Sequence, residues 1–294
     1  MYLIIGANGY LGSYVIKNIL ENTEEVIIAT ARNISECEPL ERVTWVECEV
    51  TNPGDVKKIE ELSDAYSEIK VVYLAAYHKP DLVQKNPKVA WNINITALSN
   101  MINAIRHVKC FYYASTDSVY GNSVNGYHFK EKDILKPENI YGRQKRIAET
   151  LVVGYGYNVV RYPFLIGPSL LKKKKHFYDE IAEQIHAGKS FDMFADSYRS
   201  SLDFNTAAYL LVCLMESYSS DYPAILNVCG DSDLSKYDVG LQIARKENCS
   251  EQLIHPIRIH DTDQIFSAPR AISTLMDNSE VKRVLGISKI ILSL

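Results

Sequence analysis

A tyrosine and a lysine spaced four residues apart are the first candidates for chemistry in this chain. Tyr141 and Lys145 lie in the stretch IYGRQKRIAE that starts at residue 140, and helical spacing would put both side chains on one face. A nearby ammonium favours phenolate over phenol, so we expect the lysine to lower the tyrosine pKa from ~10 towards neutral pH. Such a tyrosine is a usable general acid or base. The pair alone occurs in many helices, so its surroundings decide its meaning.

A polar cluster precedes this pair and follows a buried strand. Thr116, Asp117 and Ser118 come shortly after the apolar run 108–113. In open parallel sheets, ligands bind outside the carboxyl ends of the strands. We therefore expect these three side chains to face the same crevice as the tyrosine.

The start of the chain supplies a turn suited to phosphates. The apolar run 2–5 leads into Gly6, Gly9 and Gly12, and a helix-periodic stretch follows. The first glycine allows a tight turn, the second leaves room for a pyrophosphate, and the third allows close helix packing. Unpaired N–H groups at the helix N-terminus then attract the phosphates. The predicted cofactor contacts in this turn are Gly6, Asn8, Gly9, Tyr10, Leu11 and Gly12. The alternative is an ordinary strand–turn–helix without a ligand.

The end of the second predicted strand, 26–29, favours one form of the cofactor. NAD-binding folds usually carry Asp or Glu here to bond the ribose hydroxyls. This chain instead has Arg32, and an arginine can pair with a 2′-phosphate. We therefore expect NADP, with NAD as the alternative. Arg32 would otherwise stack on the adenine or face solvent.

The order of apolar segments predicts the fold class. Strands are expected at 26–29, 43–50, 70–76, 108–113 and 157–166, and helices at 55–62 and 87–107. This alternation is typical of an α/β, Rossmann-like doubly wound parallel sheet. Further helices are expected at 177–187, 206–217, 235–248 (with Ser235 as its N-cap) and 278–286, and a further strand at 224–229. We predict an NAD(P)-binding domain over 1–168 and a smaller C-terminal substrate-binding lobe over 169–294, interleaved with the first.

Composition excludes several function classes. The 294 residues carry a net charge of −4, which gives no reason to expect a nucleic-acid or membrane partner. No apolar run approaches the ~20 residues of a membrane span. The glycine turn stands where a basic leader would lie, so we expect no signal peptide and a cytoplasmic protein. The six scattered cysteines indicate reduced thiols and no zinc site. His255, Asp261 and Asp263 lie in a predicted loop, 255–267, without metal-ligand spacing, so no metal is expected.

Taken together, these motifs resemble the extended short-chain dehydrogenase/reductase family, within it the dTDP-4-dehydrorhamnose reductase branch. The resemblance covers the chain nearly end to end. Besides the glycine turn, Thr116-Asp117 and Tyr141–Lys145, it rests on Ala75, Ala76 and Tyr77 with Asp81, Pro87, Ala90 and Asn94, and on 270–275 (RAISTL).

The resemblance implies roles for individual residues. Tyr141 is then the proton donor or acceptor, Lys145 bonds the nicotinamide ribose, and Thr116, with Asp117, holds the substrate oxygen. Asn94 supports the site, and Ala75, Ala76 and Tyr77 line the cofactor. Thr116, Asp117, Ser118, Arg199 and Arg270 are the expected substrate contacts. Arg199 stands where the family keeps an arginine for the substrate diphosphate, and its alternative is an ion pair with Asp196 or Asp203.

Two departures from the family pattern limit what the resemblance implies. Family dehydratases carry Thr-Asp-Glu at the strand end, whereas this chain has Ser118 in place of the glutamate. Dehydration therefore loses an acid/base group, and we do not expect that activity. The family's Arg-Pro motif reads Arg270-Ala271, with Pro269 before the arginine.

The expected activity is reduction of a 4-keto-6-deoxy sugar linked to a nucleotide, within polysaccharide biosynthesis. One alternative is a nucleotide-sugar epimerase that keeps its NAD bound, and another is a non-catalytic NADP-binding regulatory subunit. The family often forms dimers, so a homodimer is open. Lys172–Lys175 interrupts the second half of the chain. This run is either a solvated loop face or a lid that attracts a substrate diphosphate.

Overall fold

Seven parallel strands form the central sheet of the protein. The computed structural model describes residues 1–259 and 266–294. Numbered along the chain, the strands stand side by side in this order: β12 (Ile225–Asn227), β7 (Asn158–Tyr162), β5 (Val108–Thr116), β4 (Ile69–Tyr73), β1 (Tyr2–Ile5), β2 (Ile27–Ala31) and β3 (Val43–Glu47). Every residue of β1, β2, β4 and β7 is buried, as the continuous apolar runs predict for a sheet covered on both faces.

Helices cover both faces of this sheet. On one face lie α1 (Tyr10–Asn22) and α8 (Phe204–Glu216), which pack against each other. On the other face lie α2 (Pro53–Ser63), α5 (Ala97–Ala104) and α6 (Ile140–Gly154). The chain order reverses between β1 and β4, so the carboxyl edge opens a crevice at that point. The predicted Rossmann-like fold is confirmed.

The helix predicted over 87–107 is divided. A short helix α3 (Pro80–Lys85) precedes α4 (Pro87–Trp91), and a π-helical turn over Asn92–Thr96 joins α4 to α5. The helix ends at Ala104 because Ile105 is extended and His107 is left-handed at φ 52°. Single π turns inside helices frequently occur at functional sites, and this one carries Asn94.

The strand predicted over 157–166 is two strands. β7 ends at Tyr162, and Pro163 and Phe164 separate it from β8 (Leu165–Ile166). β8 leaves the main sheet and pairs in parallel with β11 (Leu202–Asp203). The proline has no N–H to donate to a ladder, which explains the break.

The second half of the chain contributes both to the layers of the main sheet and to a separate apolar cluster. Its α8 and β12 belong to the main sheet layers, whereas a separate apolar cluster joins α7 (Phe177–His186), α9 (Lys236–Lys246), β9 (Phe191–Phe194) and β14 (Ile254–Ile257). Ser235 caps α9 together with Asp238, as predicted. The loop predicted over 255–267 is wrong at His255, which pairs with Asp192 in the β14–β9 ladder. Asp261 and Asp263 lie outside the described residues.

The remaining elements are short. They are β6 (His128–Phe129), β10 (Tyr198–Arg199), β13 (Leu234–Ser235), β15 (Leu275–Met276), α10 (Ser279–Leu285), and single 3₁₀ turns at Asp117–Val119 and Glu251–Leu253. β6 pairs with β15 and β10 with β13. Within 1–259 and 266–294, no helix is long and apolar enough to cross a membrane. The same residues contain no group of three His, Cys, Asp or Glu side chains that could hold a metal ion.

Candidate active site

Two glycines of the N-terminal turn are required by close backbone contacts. Gly6 has a positive φ of 82°, and a Cβ there would lie 2.7 Å from the Ala75 nitrogen. A Cβ on Gly12 would lie 2.3 Å from the Ala7 oxygen. A side chain at either position would displace backbone, so the turn holds its shape only with glycine.

The second glycine instead leaves open space. A Cβ on Gly9 would meet only the Gly6 oxygen, at 3.7 Å. Gly9 is the N-cap of α1 and provides no side-chain hydrogen bond to the helix. The N–H groups at the start of α1, at Tyr10 and Leu11, are therefore available to a phosphate. This open cradle fits the pyrophosphate of a dinucleotide.

The end of β2 is tied to the same turn. Gly6 N donates to Thr30 Oγ1 at 3.0 Å, and Ala7 N donates to the Thr30 oxygen at 2.8 Å. Arg32 lies just beyond and is exposed. The structure gives its guanidinium no ion pair with any described residue. Arg32 therefore lies beside the turn, and its charge is available to a ligand.

The lysine run lies against the glycine-rich turn. Lys174 Nζ donates to the Asn8 oxygen at 2.9 Å, and the Tyr10 hydroxyl donates to the Lys175 oxygen at 2.5 Å. Lys172 and Lys173 are 82% and 71% exposed and pair with glutamates of the loop after β2. A groove of about 770 Å³ separates this loop and the lysine run from α1. The run is thus a largely solvated face that also contacts the turn through one lysine.

Asn94 connects the end of β4 to α6. Tyr77 N donates to Asn94 Oδ1 at 2.8 Å, and Asn94 Nδ2 donates to Gln144 Oε1 at 2.9 Å. Asn94 and Gln144 are both buried. The stretch Ala75–Tyr77 is anchored at its other end, where Ala75 N donates to the Ile5 oxygen at 3.1 Å. Gln144 was not singled out from the sequence, although its place directly before Lys145 on a buried helix face was a usable signal.

Tyr141 opens α6 with its hydroxyl free. Asn139 caps the helix by accepting from Gly142 N at 2.9 Å. None of the described residues hydrogen-bonds to the Tyr141 hydroxyl. Burial and the negative charge of Asp117 raise the pKa of Tyr141 above its ordinary value. The expected lowering of this pKa by Lys145 is therefore wrong for this state of the protein, because the lysine has other partners.

The side chain of Lys145 hydrogen-bonds to the neighbouring strand, β5. Its Nζ donates to the Tyr113 hydroxyl at 2.9 Å and to the Ala114 oxygen at 2.7 Å. Burial lowers the pKa of Lys145 to about 7, against the opposing charge of Glu149. Tyr113 is a site residue that the sequence did not reveal, because its position in an apolar strand reads as core.

The polar cluster after β5 forms a compact network. Thr116 Oγ1 donates to Asp117 Oδ1 at 3.0 Å and accepts from Ser118 N at 3.2 Å. The Ser118 hydroxyl lies 3.3 Å from the same carboxylate oxygen. Burial raises the pKa of Asp117, and the charge of Arg199 opposes that rise. Thr116, Asp117 and Ser118 thus lie together at the strand end, as predicted.

Arg199 is held within the protein by an ion pair and by hydrogen bonds to the backbone. Its Nε lies 3.3 Å from Asp117 Oδ2, and its remaining nitrogens donate to backbone oxygens of Tyr198, Ala271 and Ile272 at 2.7–2.8 Å. The alternative partners expected from the sequence are wrong. Asp196 accepts from Ile259 N, and Asp203 caps α8 by accepting from Thr206 N.

Arg270 is also paired. Its Nη2 contacts Asp81 Oδ2, and its guanidinium lies 4.0 Å from the centre of the Phe266 ring. Asp81 additionally accepts from Ala268 N at 2.9 Å. Arg199 and Arg270, the two arginines predicted to contact the substrate, are therefore each already paired with an aspartate.

The arrangement supports proton transfer next to a bound dinucleotide. An uncommitted tyrosine hydroxyl, a strand-end threonine and a buried lysine share the crevice edge, and an open helix N-terminus lies at the switch point of the sheet. The sequence placed these groups, whereas their partners came from the structure.

The chain is similar to known proteins over nearly its whole length. A family model described as RmlD substrate binding domain matches residues 1–290. The chain is 27% identical to a probable low-salt glycan biosynthesis reductase, Agl14, of Haloferax volcanii, over 98% of this chain and 94% of that protein. It is 25% identical to the methionine adenosyltransferase 2 subunit beta of Xenopus laevis, over 96% of this chain and 81% of that protein.

Solved structures share the fold. A dTDP-4-dehydrorhamnose reductase from Bacillus anthracis in complex with NADP has a TM-score of 0.76 and 20% identity, covering 99% of this chain and 94% of its own. A UDP-glucuronic acid 4-epimerase from Bacillus cereus in complex with UDP-glucuronic acid and NAD has a TM-score of 0.80 and 19% identity, with the same coverage.

Proposed function

The chain belongs to the RmlD substrate binding domain family, the dTDP-4-dehydrorhamnose reductase-like branch of the extended short-chain dehydrogenases/reductases, and from this premise we propose that it is an NADP-dependent reductase of nucleotide-linked sugars. The proposed reaction is reduction of the 4-keto group of a 4-keto-6-deoxy sugar, in the cytoplasm and in the service of glycan synthesis. NAD is the alternative cofactor.

The observation that carries this proposal is the state of Tyr141. Its hydroxyl has no hydrogen-bond partner among the described residues, so it is free to donate to a substrate oxygen. A reductase needs a proton donor at the carbonyl oxygen, and a protonated, uncommitted phenol meets that need. The strand-end hydroxyl of Thr116 stands at the same edge of the sheet.

The residues that would hold the dinucleotide are those of the N-terminal turn. The open N-terminus of α1 behind Gly9 fits the pyrophosphate, and Arg32 fits a 2′-phosphate. Asn94, Lys145 and the stretch Ala75–Tyr77 would hold the nicotinamide half. When bound, the reduced nicotinamide supplies the hydride that reaches the carbonyl carbon.

The remaining steps belong to this chain. Tyr141 donates its proton to the carbonyl oxygen as negative charge develops there, and Thr116 orients that oxygen. Lys145 stands four residues from Tyr141 and holds the end of β5 through the Tyr113 hydroxyl and the Ala114 oxygen. The phenolate must then take up a proton from solvent before the next turnover.

The test is NADPH oxidation with dTDP- and UDP-linked 4-keto-6-deoxy sugars, followed by absorbance at 340 nm. The wild type should oxidise NADPH, and Tyr141→Phe should lose about 10²–10⁴-fold in kcat, the usual contribution of a general acid. Tyr209→Phe, at an exposed tyrosine on α8, is the matched control. A Tyr141→Phe enzyme with wild-type kcat would contradict the proposal.

A second candidate is a regulatory subunit. The similarity to methionine adenosyltransferase 2 subunit beta extends over 96% of the chain, and it is nearly as strong as the similarity to the reductase. Tight NADPH binding without turnover of any keto sugar, together with a change in a partner enzyme's activity, would favour that function. NAD retained through purification, with interconversion of sugar epimers, would instead favour an epimerase. A homodimer remains part of the proposal, and sedimentation velocity would test it.

A further inference from the structure

Lys236 occupies an aromatic environment at the start of α9. Its side chain is half-buried, and its ammonium lies 5.5–5.7 Å from the centres of three phenylalanine rings. These rings belong to Phe164, Phe177 and Phe194. Rings attract a cation through their faces but accept no ordinary hydrogen bond. The three N–H donors of the ammonium are therefore left to a ligand or to water.

Lys236 differs from its two cationic neighbours in having no acidic partner. Arg199 is paired with Asp117, and Arg270 is paired with Asp81. Within 1–259 and 266–294, no carboxylate lies within ion-pair distance of the Lys236 ammonium. The two arginine–aspartate pairs are neutral overall, so Lys236 supplies the net positive charge of this cluster.

The lysine lies at the same edge of the sheet as the proposed reaction centre. Thr116 pairs with Tyr162 across β5 and β7, and Phe164 follows two residues after Tyr162. Arg199 pairs with Leu234 across β10 and β13, and Lys236 follows two residues after Leu234. Phe164, which lies beside the ammonium, therefore follows the strand that pairs with β5, and Lys236 itself follows the strand that pairs with Arg199.

The electrostatics of the position favour an anion. Burial and the charges of Arg270 and Arg199 lower the pKa of Lys236 to about 8, and no carboxylate among the described residues pairs with the ammonium. A phosphate at this point would pair with the Lys236 ammonium and stabilise its charged form. The apolar rings around the ammonium lower the local dielectric, which strengthens its attraction to a phosphate.

We propose that Lys236, and not Arg199, is the cation that binds the diphosphate of the nucleotide sugar. This inference rests on the proposed function, because it assigns a group of the same substrate. A lysine binds phosphate as a point charge with three rotatable donors. The donors of Arg199 are already bonded to Asp117 and to backbone oxygens. Its role is therefore to hold the segment 271–272 against the strand end.

The experiment measures binding of UDP and of dTDP to the NADPH-saturated protein by isothermal titration calorimetry. Lys236→Met keeps the apolar stem of the side chain and removes the charge, and it should weaken nucleoside diphosphate binding at least tenfold. Lys236→Arg keeps the charge and should retain most of the affinity. Lys246→Met, at an exposed lysine of the same helix, is the matched control and should bind as the wild type does.

The outcomes separate this inference from the proposed function. A Lys236→Met protein that binds the nucleoside diphosphates as tightly as the wild type overturns the assignment of Lys236 and leaves the nucleotide-sugar proposal standing. A wild type that binds NADPH but neither UDP nor dTDP overturns both. NADPH affinity, followed by its fluorescence, should be unchanged in Lys236→Met, which shows that a loss of UDP binding is not a loss of fold.

Discussion

The ammonium of Lys145 donates a hydrogen bond to the hydroxyl of Tyr113 at 2.9 Å. The hydrogen-bond partner of this lysine is therefore a strand tyrosine of the core, and not the tyrosine four residues before it on the helix. This pairing leaves the Tyr141 hydroxyl free for a ligand, and it makes Tyr113 a residue whose removal can be tested.

Tyr113→Phe should destabilise the protein, because it leaves a donor of a buried ammonium without its acceptor. We expect the free energy of unfolding to fall by about 1–3 kcal/mol, measured by urea denaturation. Tyr73→Phe is the matched control, since Tyr73 pairs with Tyr113 on the adjacent strand. Both are 1% exposed, but the Tyr73 hydroxyl has no hydrogen-bond partner within the described part of the chain. Equal losses in the two variants would contradict the role of the Lys145–Tyr113 bond.

Lys145 should make stability depend on pH above neutrality. Its pKa is about 7 in the folded protein and ~10.4 when unfolded, so between these values the unfolded chain binds more protons. Stability from this group therefore rises with pH over that window. Lys236, with a lowered pKa of about 8, acts in the same direction.

The measurement for Lys145 is urea unfolding of the wild type and of Lys145→Met from pH 7 to pH 10. The difference in unfolding free energy between the two proteins should shift in favour of the wild type as pH rises. Lys236 is present in both proteins, so its contribution cancels. A difference that stays flat across this range would show that Lys145 titrates at its ordinary pKa.

The Arg199–Asp117 pair should behave as a coupled unit. Arg199→Met leaves a buried carboxylate unpaired and should cost about 3–5 kcal/mol of stability, whereas adding Asp117→Asn should recover about 1–3 kcal/mol. Burial already raises the pKa of Asp117, and losing Arg199 raises it further. Protonation then favours the folded state, so the Arg199→Met penalty should be smaller at pH 5 than at pH 8. Additive effects in the double mutant would refute the coupling.

The three glycines of the turn should respond differently to alanine. Gly12→Ala places a Cβ 2.3 Å from a backbone oxygen and should unfold or strongly destabilise the protein. Gly9→Ala has room for its Cβ, so the protein should fold but bind NADPH more weakly. Gly154→Ala, at the end of α6 with nothing within 4 Å, should be neutral or stabilising by up to about 1 kcal/mol. Thermal melts and NADPH titration distinguish the three cases, and wild-type NADPH affinity in Gly9→Ala would argue against this cradle.

Arg32 should decide the preference between the two cofactors. Arg32→Met should weaken NADPH binding about tenfold and leave NADH binding unchanged, because only NADPH carries the 2′-phosphate. Arg283→Met, at an exposed arginine of α10, controls for the loss of a surface charge. Equal changes in both affinities would instead indicate stacking of Arg32 on the adenine.

Much of the fold could be predicted because its signals are local. Continuous apolar runs identified the buried parallel strands, and the glycine spacing identified the turn whose contacts at Gly6 and Gly12 the structure displays. The failures occurred where a neighbour distant in sequence decides the structure. The segment 157–166 divides because β11 recruits its second half, and His255 joins a strand because β9 lies beside it.

The sequence by itself determined which groups stand at the crevice, because strand ends and helical spacing are properties of neighbouring residues. It placed Thr116 at a strand end, and Tyr141 and Lys145 on one helix face. Only the tertiary structure decided their partners and charge states, since a buried group responds to whatever packs against it in space. That is why Lys145 pairs with Tyr113 and Arg199 with Asp117, whereas Lys236 has no acidic partner among the described residues.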